Sequence, residues 1–225
     1  MSKEVYNIKE ILYNTVGTVN PNYIIHILKT KKNVNVDSDQ NYALRWASYY
    51  NEIEILKELL KFNSVNPLDF NYHAFELCIE KSNLEVFKIL INDKRVKNKI
   101  DNLLKTIIYN CLHSNKLEIL SYFLSLPDIK ITDHINNLFT DFIEYNMNDY
   151  RYEILNMLLC DNRFDPSYAN NKALKLSIEI KNYSYINILL KNKKVLSKID
   201  SDDINTLTEL KLIPYYKSKK IERTI

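Results

Sequence analysis

Three cysteines and four histidines are the residues of this chain that could bind a metal ion or pair as nucleophile and base. Zinc ligands usually cluster at short spacings such as Cys-x-x-Cys. Cys78, Cys111 and Cys160 are widely spaced, and Cys111 and His113 lie two residues apart, which puts their side chains on different sides of a helix. We therefore favour packed, reduced thiols at Cys78 and Cys111 over a metal site, and we expect no metal, no cofactor and no enzymatic activity.

Three lysine-rich runs are the next candidates: "KTKK" (29–32), "KNKK" (191–194) and "KSKK" (217–220). Each follows or ends a predicted helix, where cations interact favourably with the helix dipole. Net charge is only +3 with both signs interspersed, so nucleic acid is not expected as a partner. The alternative is a nucleic-acid-associated or virion assembly protein that uses the two C-terminal runs.

Composition indicates an intracellular, cytoplasmic protein. No apolar run approaches the roughly 18 residues of a membrane span, and "MSKEVYNIKEILYN" has no signal-peptide core. The odd number of cysteines suits a reducing compartment. The single glycine, Gly17, excludes a Gly-rich phosphate loop and argues against a turn-rich β fold.

The apolar pattern of the chain repeats. A pair of apolar residues closes a predicted helix at intervals of roughly 33 residues, a period typical of repeat proteins. The pairs are Ile27-Leu28, Leu59-Leu60, Leu90-Ile91, Phe123-Leu124, Leu158-Leu159 and Leu189-Leu190. We call them the anchor pairs, and they predict an all-α stack of helix–turn–helix units.

Each unit has a first helix, a short turn, a second helix and a polar connector. At the turn a polar residue precedes a glutamate by three positions: Asn51 with Glu54, Ser82 with Glu85, and Asn115 with Glu118. That spacing predicts a capping box at the start of each second helix. Asn also tolerates the left-handed backbone conformation that such a turn requires.

We expect one domain over residues 1–213. It comprises an N-terminal cap (1–36), repeats at about 37–67, 68–98, 99–131, 132–166 and 167–197, and a C-terminal half-repeat (200–213) that begins at Ser201 as N-cap. The last twelve residues, 214–225, form a basic tail.

This organisation resembles the ankyrin repeat, and most closely the Asn-rich ankyrin-like repeats of giant DNA viruses (mimivirus-like). "NYALRWA" and "NKALKLS" keep the leucine followed by a small residue of the family's first helix, Thr106 supplies its threonine, and asparagines replace its turn glycines. The resemblance implies an ankyrin-like solenoid whose first helices and connectors line a binding groove. It also implies a protein-binding adaptor or scaffold, monomeric by itself, that in a virus would bind a host factor in the host cytoplasm.

The resemblance places the last residues of each first helix, and parts of the connectors, in that groove. Tyr49 and Tyr50 stand out because Leu44, Trp46, Ala47 and Ile53 already supply the core positions of their repeat. Large rings at a rim are typical of interface hot spots, although covering the neighbouring cap is the competing role. The predicted groove residues are Tyr49, Tyr50, Glu80, Lys81, His113, Ser114, Glu144, Tyr145, Glu179 and Ile180, with Asp39, Asn41, Phe70 and Tyr168 from the connectors.

Overall fold

The protein is described by a computed structural model that covers residues 5–14, 20–97, 99–127, 129–130, 136–137, 140, 143 and 152–212. These residues are mostly helical, as the apolar periodicity predicts. The first helices and strands are β1 (Tyr6–Asn7), α1 (Ile8–Asn14), α2 (Pro21–Thr30) and β2 (Val34–Asn35). Next come α3 (Ser38–Tyr50), α4 (Ile53–Leu59), α5 (Asp69–Glu80), α6 (Leu84–Ile91), α7 (Lys94–Lys97), α8 (Ile100–His113) and α9 (Leu117–Ser125). The remaining helices are α10 (Tyr152–Cys160), α11 (Tyr168–Glu179), α12 (Tyr183–Leu189), α13 (Lys193–Ser197) and α14 (Ser201–Glu209).

The helices belong to two compact units, Met1–Ile129 and Lys130–Ile225. In the first unit, α1, α3, α5 and α8 pack in that order as one layer, and α2, α4, α6 and α9 pack in that order as another. In the second unit, α12 packs against α10 and α11, and α14 packs against α11. Parts of repeat 132–166, including Asn146–Arg151, and the tail 214–225 lie outside the described residues.

The anchor pairs form the core between the layers. The first member of every pair is buried, from Ile27 to Leu189. Phe87 on α6 contacts two other rings edge to face. Its ring centroid lies 5.9 Å from that of Phe75 on α5 and 6.1 Å from that of Phe123 on α9. Aromatic contacts of this kind stabilise a core beyond the area that they bury. The first member of each anchor pair is therefore a core residue.

The turns between paired helices adopt the left-handed conformation, with φ of 60° at Asn51, 61° at Ser82 and 55° at Asn115. The amide N–H of the next residue then bonds back to the first helix, as Glu52 does to the carbonyl of Ala47 at 2.9 Å. This is the Schellman arrangement, which satisfies carbonyls at a helix end.

The predicted capping boxes are wrong. Because the left-handed residue ends the first helix, the N-cap position moves one residue on, to Glu52, Asn83 and Lys116, whose side chains accept no capping hydrogen bond. Glu54 and Glu85 instead pair with lysines one turn later, at 2.7 and 2.6 Å. The half-repeat helix does have a capping box, but its N-cap is Asp200 rather than Ser201.

Two connectors depart from the expected polar coil, since α7 and α13 are short helices. The parallel strands β1 and β2 are the only strands in the described part of the chain. Near their N-terminal ends, α3, α5 and α11 each contain three consecutive residues in the left-handed conformation, which costs about 1–2 kcal/mol per residue away from glycine. These turns are Asp39–Asn41, Phe70–Tyr72 and Ala169–Asn171.

Asn41 stabilises the first left-handed turn. Its side chain is only 1% exposed, accepts from the amide of Asn66 at 3.1 Å and donates to the carboxylate of Asp69. Asn171 is also buried and donates to the carbonyl of Val195 at 3.0 Å. Asn41 was predicted to lie in the groove, but it is buried, and its amide group joins the start of α3 to the segment around Asn66 and Asp69.

The two packed thiols are where the sequence predicts them. Cys78 and Cys111 are buried, and Cys160 is exposed. Burial raises the pKa of the Cys78 thiol well above its ordinary value and that of Cys111 to about 12. The reactive thiolate is therefore suppressed at both positions.

We expect one of the three thiols, Cys160, to react with a chromogenic disulfide reagent in the native protein at neutral pH. Cys78 and Cys111 should react only after unfolding, because burial disfavours their thiolates. Counting the thiols released with and without denaturant measures this, and Cys160→Ser is the matched control. Rapid reaction of more than one thiol in the native protein would contradict the burial of the pair.

Candidate functional site

Helix α3 presents a row of aromatic rings on one face. Tyr42, Trp46, Tyr49 and Tyr50 lie at helical spacing, and the opposite face buries Ala43, Leu44, Ala47 and Ser48. The rings of Tyr42, Trp46 and Tyr49 are half-buried, whereas Tyr50 is 54% exposed. Trp46 is therefore not the core residue that the sequence predicts.

The rings on α3 contact one another. The Tyr50 ring centroid lies 4.9 Å from that of Trp46, with planes tilted by 43°, and 4.8 Å from that of Tyr49, edge to face. Aromatic residues bury large areas at low entropic cost and are enriched at protein interfaces. This cluster is preformed, so a ligand would not need to assemble it.

Helix α5 supplies the other wall. Phe70 is 52% exposed, and its ring centroid is 5.2 Å from that of His73. An open depression of about 310 Å³ lies between the helices, lined by Tyr42, Arg45, Trp46, Tyr49, Tyr50, His73 and Leu77. A second depression of about 430 Å³ is lined by Phe70, Asn71, His73 and Glu76.

We call the surface formed by Tyr42, Trp46, Tyr49, Tyr50, Phe70 and His73 the aromatic groove. His73 lines both of its depressions. The Nδ1 atom of His73 is buried and has no hydrogen-bond partner within the described residues. Buried polar atoms are nearly always paired, so this ring nitrogen marks an incompletely satisfied position in the groove.

Cations of the chain lie over the rings of the groove. The Arg45 guanidinium is 4.5 Å from the Phe70 ring centroid, and the Lys81 ammonium is 4.3 Å from that of Tyr49. Each cation also faces a carboxylate, Arg45 with Asp39 at 3.9 Å and Lys81 with Glu80 at 2.9 Å. Such contacts orient the side chains, and at a solvent-exposed position such as that of Lys81 they contribute little to the stability of the fold.

Asn83 fixes the end of α3 relative to the next repeat. Its side-chain amide donates to the carbonyl of Ser48 at 2.8 Å and to that of Tyr49 at 3.1 Å. Backbone carbonyls at a helix C-terminus otherwise lack partners. The position of Tyr49 and Tyr50 is thus set by the hydrogen bonds from Asn83 as well as by packing.

The structure gathers part of the predicted site. Tyr49, Tyr50, Phe70, Glu80, Lys81 and Asp39 lie in or beside the aromatic groove. His113 ends α8, with its ring 5.6 Å from that of Tyr109, and Ser114 follows it. Tyr168, Glu179 and Ile180 belong to the second unit, and Glu144 and Tyr145 lie outside the described residues.

Sequence reasoning missed Tyr42, Arg45, Trp46 and His73. Trp46 lies one turn and Tyr42 two turns before Tyr50 on the same face of α3, so helical spacing from Tyr50 finds them. Arg45 and His73 carry no such signal, because their roles depend on the packing of α3 against α5.

The lysine run 191–194 has a structural use. The Lys194 ammonium donates to the backbone carbonyls of Asn162 at 3.1 Å and Phe164 at 3.0 Å. Lys29 pairs with Glu58 at 3.6 Å, and together with Lys61 it lowers the pKa of that carboxyl. The run 217–220 lies outside the described residues.

Within the described residues, no helix is long and apolar enough to cross a membrane, and no group of three His, Cys, Asp or Glu side chains is placed to hold a metal ion. Comparison of the chain with protein-family models, with curated proteins and with solved structures gives no match. Function must therefore be argued from the groove itself.

Proposed function

We propose that the chain is a non-enzymatic protein-binding module, an adaptor or scaffold built from ankyrin-like helical repeats. The ordered packing of α1, α3, α5 and α8 in one layer and of α2, α4, α6 and α9 in the other supports a repeat solenoid in the first unit. The helix pair α11 and α12, joined by a left-handed Lys181 with φ of 55°, supports repeats of the same kind in the second unit.

The aromatic groove is the observation that carries the binding function. Six aromatic or imidazole rings from two neighbouring first helices line two open depressions, while the opposite face of each helix is packed into the core. Exposed rings that contribute little to folding but surround two depressions are typical of hot-spot surfaces. The partner we propose is a protein segment that fills these depressions.

The double substitution Tyr49→Ala, Tyr50→Ala tests this function. Helical circular dichroism should stay near that of the wild type, because Tyr50 is exposed and Tyr49 is half-buried. Partner capture from cell lysate, quantified by mass spectrometry, should fall by about thirtyfold or more for groove-dependent partners, corresponding to about 2 kcal/mol.

Tyr23→Ala is the matched control. Tyr23 lies on α2, outside the groove, and is 52% exposed, so its loss removes a comparable exposed ring. A protein that neither the Tyr49→Ala, Tyr50→Ala variant nor the Tyr23→Ala variant captures binds exposed tyrosines non-specifically, and does not depend on the groove. A double variant that unfolds, or one that keeps every captured partner, contradicts the proposed function.

A further inference from the structure

We propose that the aromatic groove binds a proline-rich peptide in the polyproline II conformation that carries a basic side chain. Prolines occupy the depression formed by Trp46, Tyr49 and Tyr50, and the basic side chain lies between Phe70 and Glu76. This inference rests on the proposed protein-binding function and names the class of partner.

The aromatic depression suits proline rings. A polyproline II segment has a ridged apolar face and no internal hydrogen bonds, so all of its carbonyls need donors. Trp46 and Tyr50 contact each other, with ring centroids 4.9 Å apart, and their outer faces line the depression of about 310 Å³, where a flat pyrrolidine ring can pack against them. In the described part of the chain the Trp46 indole N–H has no acceptor, which leaves it available to a peptide carbonyl.

The spacing of the helices fits the repeat of such a peptide. Neighbouring packed helices lie about 8–10 Å apart. A polyproline II helix makes one turn in three residues, or about 9.3 Å, so the same face returns at each turn. A peptide that crosses from α3 to α5 can therefore place one apolar turn on Trp46 and Tyr50 and the next beside Phe70.

The second depression is complementary in charge to a basic side chain. Phe70 and Glu76 line it together, so it offers an aromatic face and a carboxylate. Among the described residues, Glu76 has no ion-pair partner. A ring and a carboxylate together bind a lysine or arginine through cation–π and charge-assisted contacts.

The chain itself contains such an arrangement. The Lys81 ammonium lies 4.3 Å from the Tyr49 ring centroid and 2.9 Å from a Glu80 oxygen. Phe70 and Glu76 offer the same combination of a ring and a carboxylate in the second depression. The Arg45 guanidinium lies over one face of the Phe70 ring, 4.5 Å from its centroid. The ring is thus shown to accept a guanidinium.

Fluorescence anisotropy with a labelled synthetic peptide of about twelve residues, carrying two Pro-x-x-Pro turns and one arginine, tests the proposal on the full chain. We expect binding by the wild type and at least about tenfold weaker binding of a peptide whose prolines are replaced by alanine. Glu76→Gln should weaken the arginine peptide about tenfold and leave the peptide with glutamine in place of arginine unchanged. Tyr23→Ala should bind like the wild type.

The outcomes separate this inference from the proposed function. If the proline-rich peptide does not bind, while the Tyr49→Ala, Tyr50→Ala variant still loses captured partners, the peptide class is wrong and the binding groove stands. If Glu76→Gln weakens the arginine peptide and the glutamine peptide equally, Glu76 does not bind the basic side chain. If the peptide still binds the Tyr49→Ala, Tyr50→Ala variant, it binds outside the groove and the inference is wrong. If that variant keeps both the peptide and every captured partner, both proposals are wrong.

Discussion

Replacing Leu90 by alanine is expected to lower the free energy of unfolding by about 2–5 kcal/mol. Leu90 is fully buried on α6, which packs against both α4 and α9. The truncation removes apolar contacts and leaves a cavity between repeats, and neither helix layer can close over it without losing its own packing. Denaturant unfolding followed by circular dichroism measures the loss.

Leu60→Ala is the matched control for this cavity. Leu60 is the second member of the preceding anchor pair and is half-buried, so its truncation leaves space that water can fill. We expect a clearly smaller loss than for Leu90. Equal unfolding midpoints for the two variants would mean that the first member of each pair is not the core position.

The helical content and the buried anchor positions could be predicted from the sequence because their signals are local and recur. Each anchor pair falls near the C-terminal end of a helix, and asparagine tolerates the left-handed conformation at the turn better than most residues. The error at the capping boxes arises from a shift of one residue. A polar residue three positions before a glutamate fits both a capping box and a left-handed helix end, and only the backbone dihedral of Asn51 separates them.

The groove was harder to predict, since its residues come from different repeats. The pair Tyr49 and Tyr50 is visible in the sequence because two rings precede a turn. The assignment of Trp46 to the core failed because a large apolar ring at helical spacing fits either face of α3, and the buried face is filled by smaller residues. Asn41 differs from its prediction for the opposite reason. A polar residue there was expected to be exposed, but it is buried, and its side chain is satisfied by hydrogen bonds such as that from the amide of Asn66.

A second feature that the sequence did not reveal is the use of basic residues to join repeats. Arg95 donates to the backbone carbonyls of Leu60 at 3.0 Å, Phe62 at 3.2 Å and Val65 at 2.6 Å in the preceding repeat. The sequences "DKRV" and "NKKV" place Arg95 and Lys194 at the same position, and both side chains donate to carbonyls of an earlier repeat. In the sequence, Arg95 and Lys194 cannot be distinguished from basic residues whose side chains are fully solvated.

Replacing Arg95 by methionine should lower the free energy of unfolding by about 2–3 kcal/mol at neutral pH. Methionine keeps much of the apolar stem but its side chain cannot donate hydrogen bonds, so three carbonyls and the Asp93 carboxylate lose the hydrogen bonds that the guanidinium donates. The Asp93 side chain is 11% exposed and pairs with Arg95 at 2.6 Å, so little water is available to replace the guanidinium. Arg95→Lys should recover only part of the loss, because an ammonium cannot reproduce the planar fork.

Lys88→Met is the matched control, since Lys88 pairs with an exposed glutamate, Glu85, at 2.6 Å. Exposed pairs of this kind contribute little to stability, because water screens the two charges. A loss for Arg95→Met no larger than for Lys88→Met would show that the carbonyl contacts add no stability.

The effect of Arg95→Met should also depend on pH. Burial of Asp93 opposes its ionisation, but hydrogen bonds and charge from Arg95 outweigh burial and lower its pKa below the ordinary 3.8. A carboxyl whose pKa is lower in the folded state stabilises the fold above its unfolded pKa, and that contribution is lost as pH falls through the folded value. The difference between wild type and Arg95→Met in unfolding free energy should therefore be constant near neutral pH and shrink as pH falls below about 4. A difference that stays the same from neutral to acidic pH would mean that Asp93 takes no part in the stabilising contact, and that the carbonyl bonds alone account for the role of Arg95.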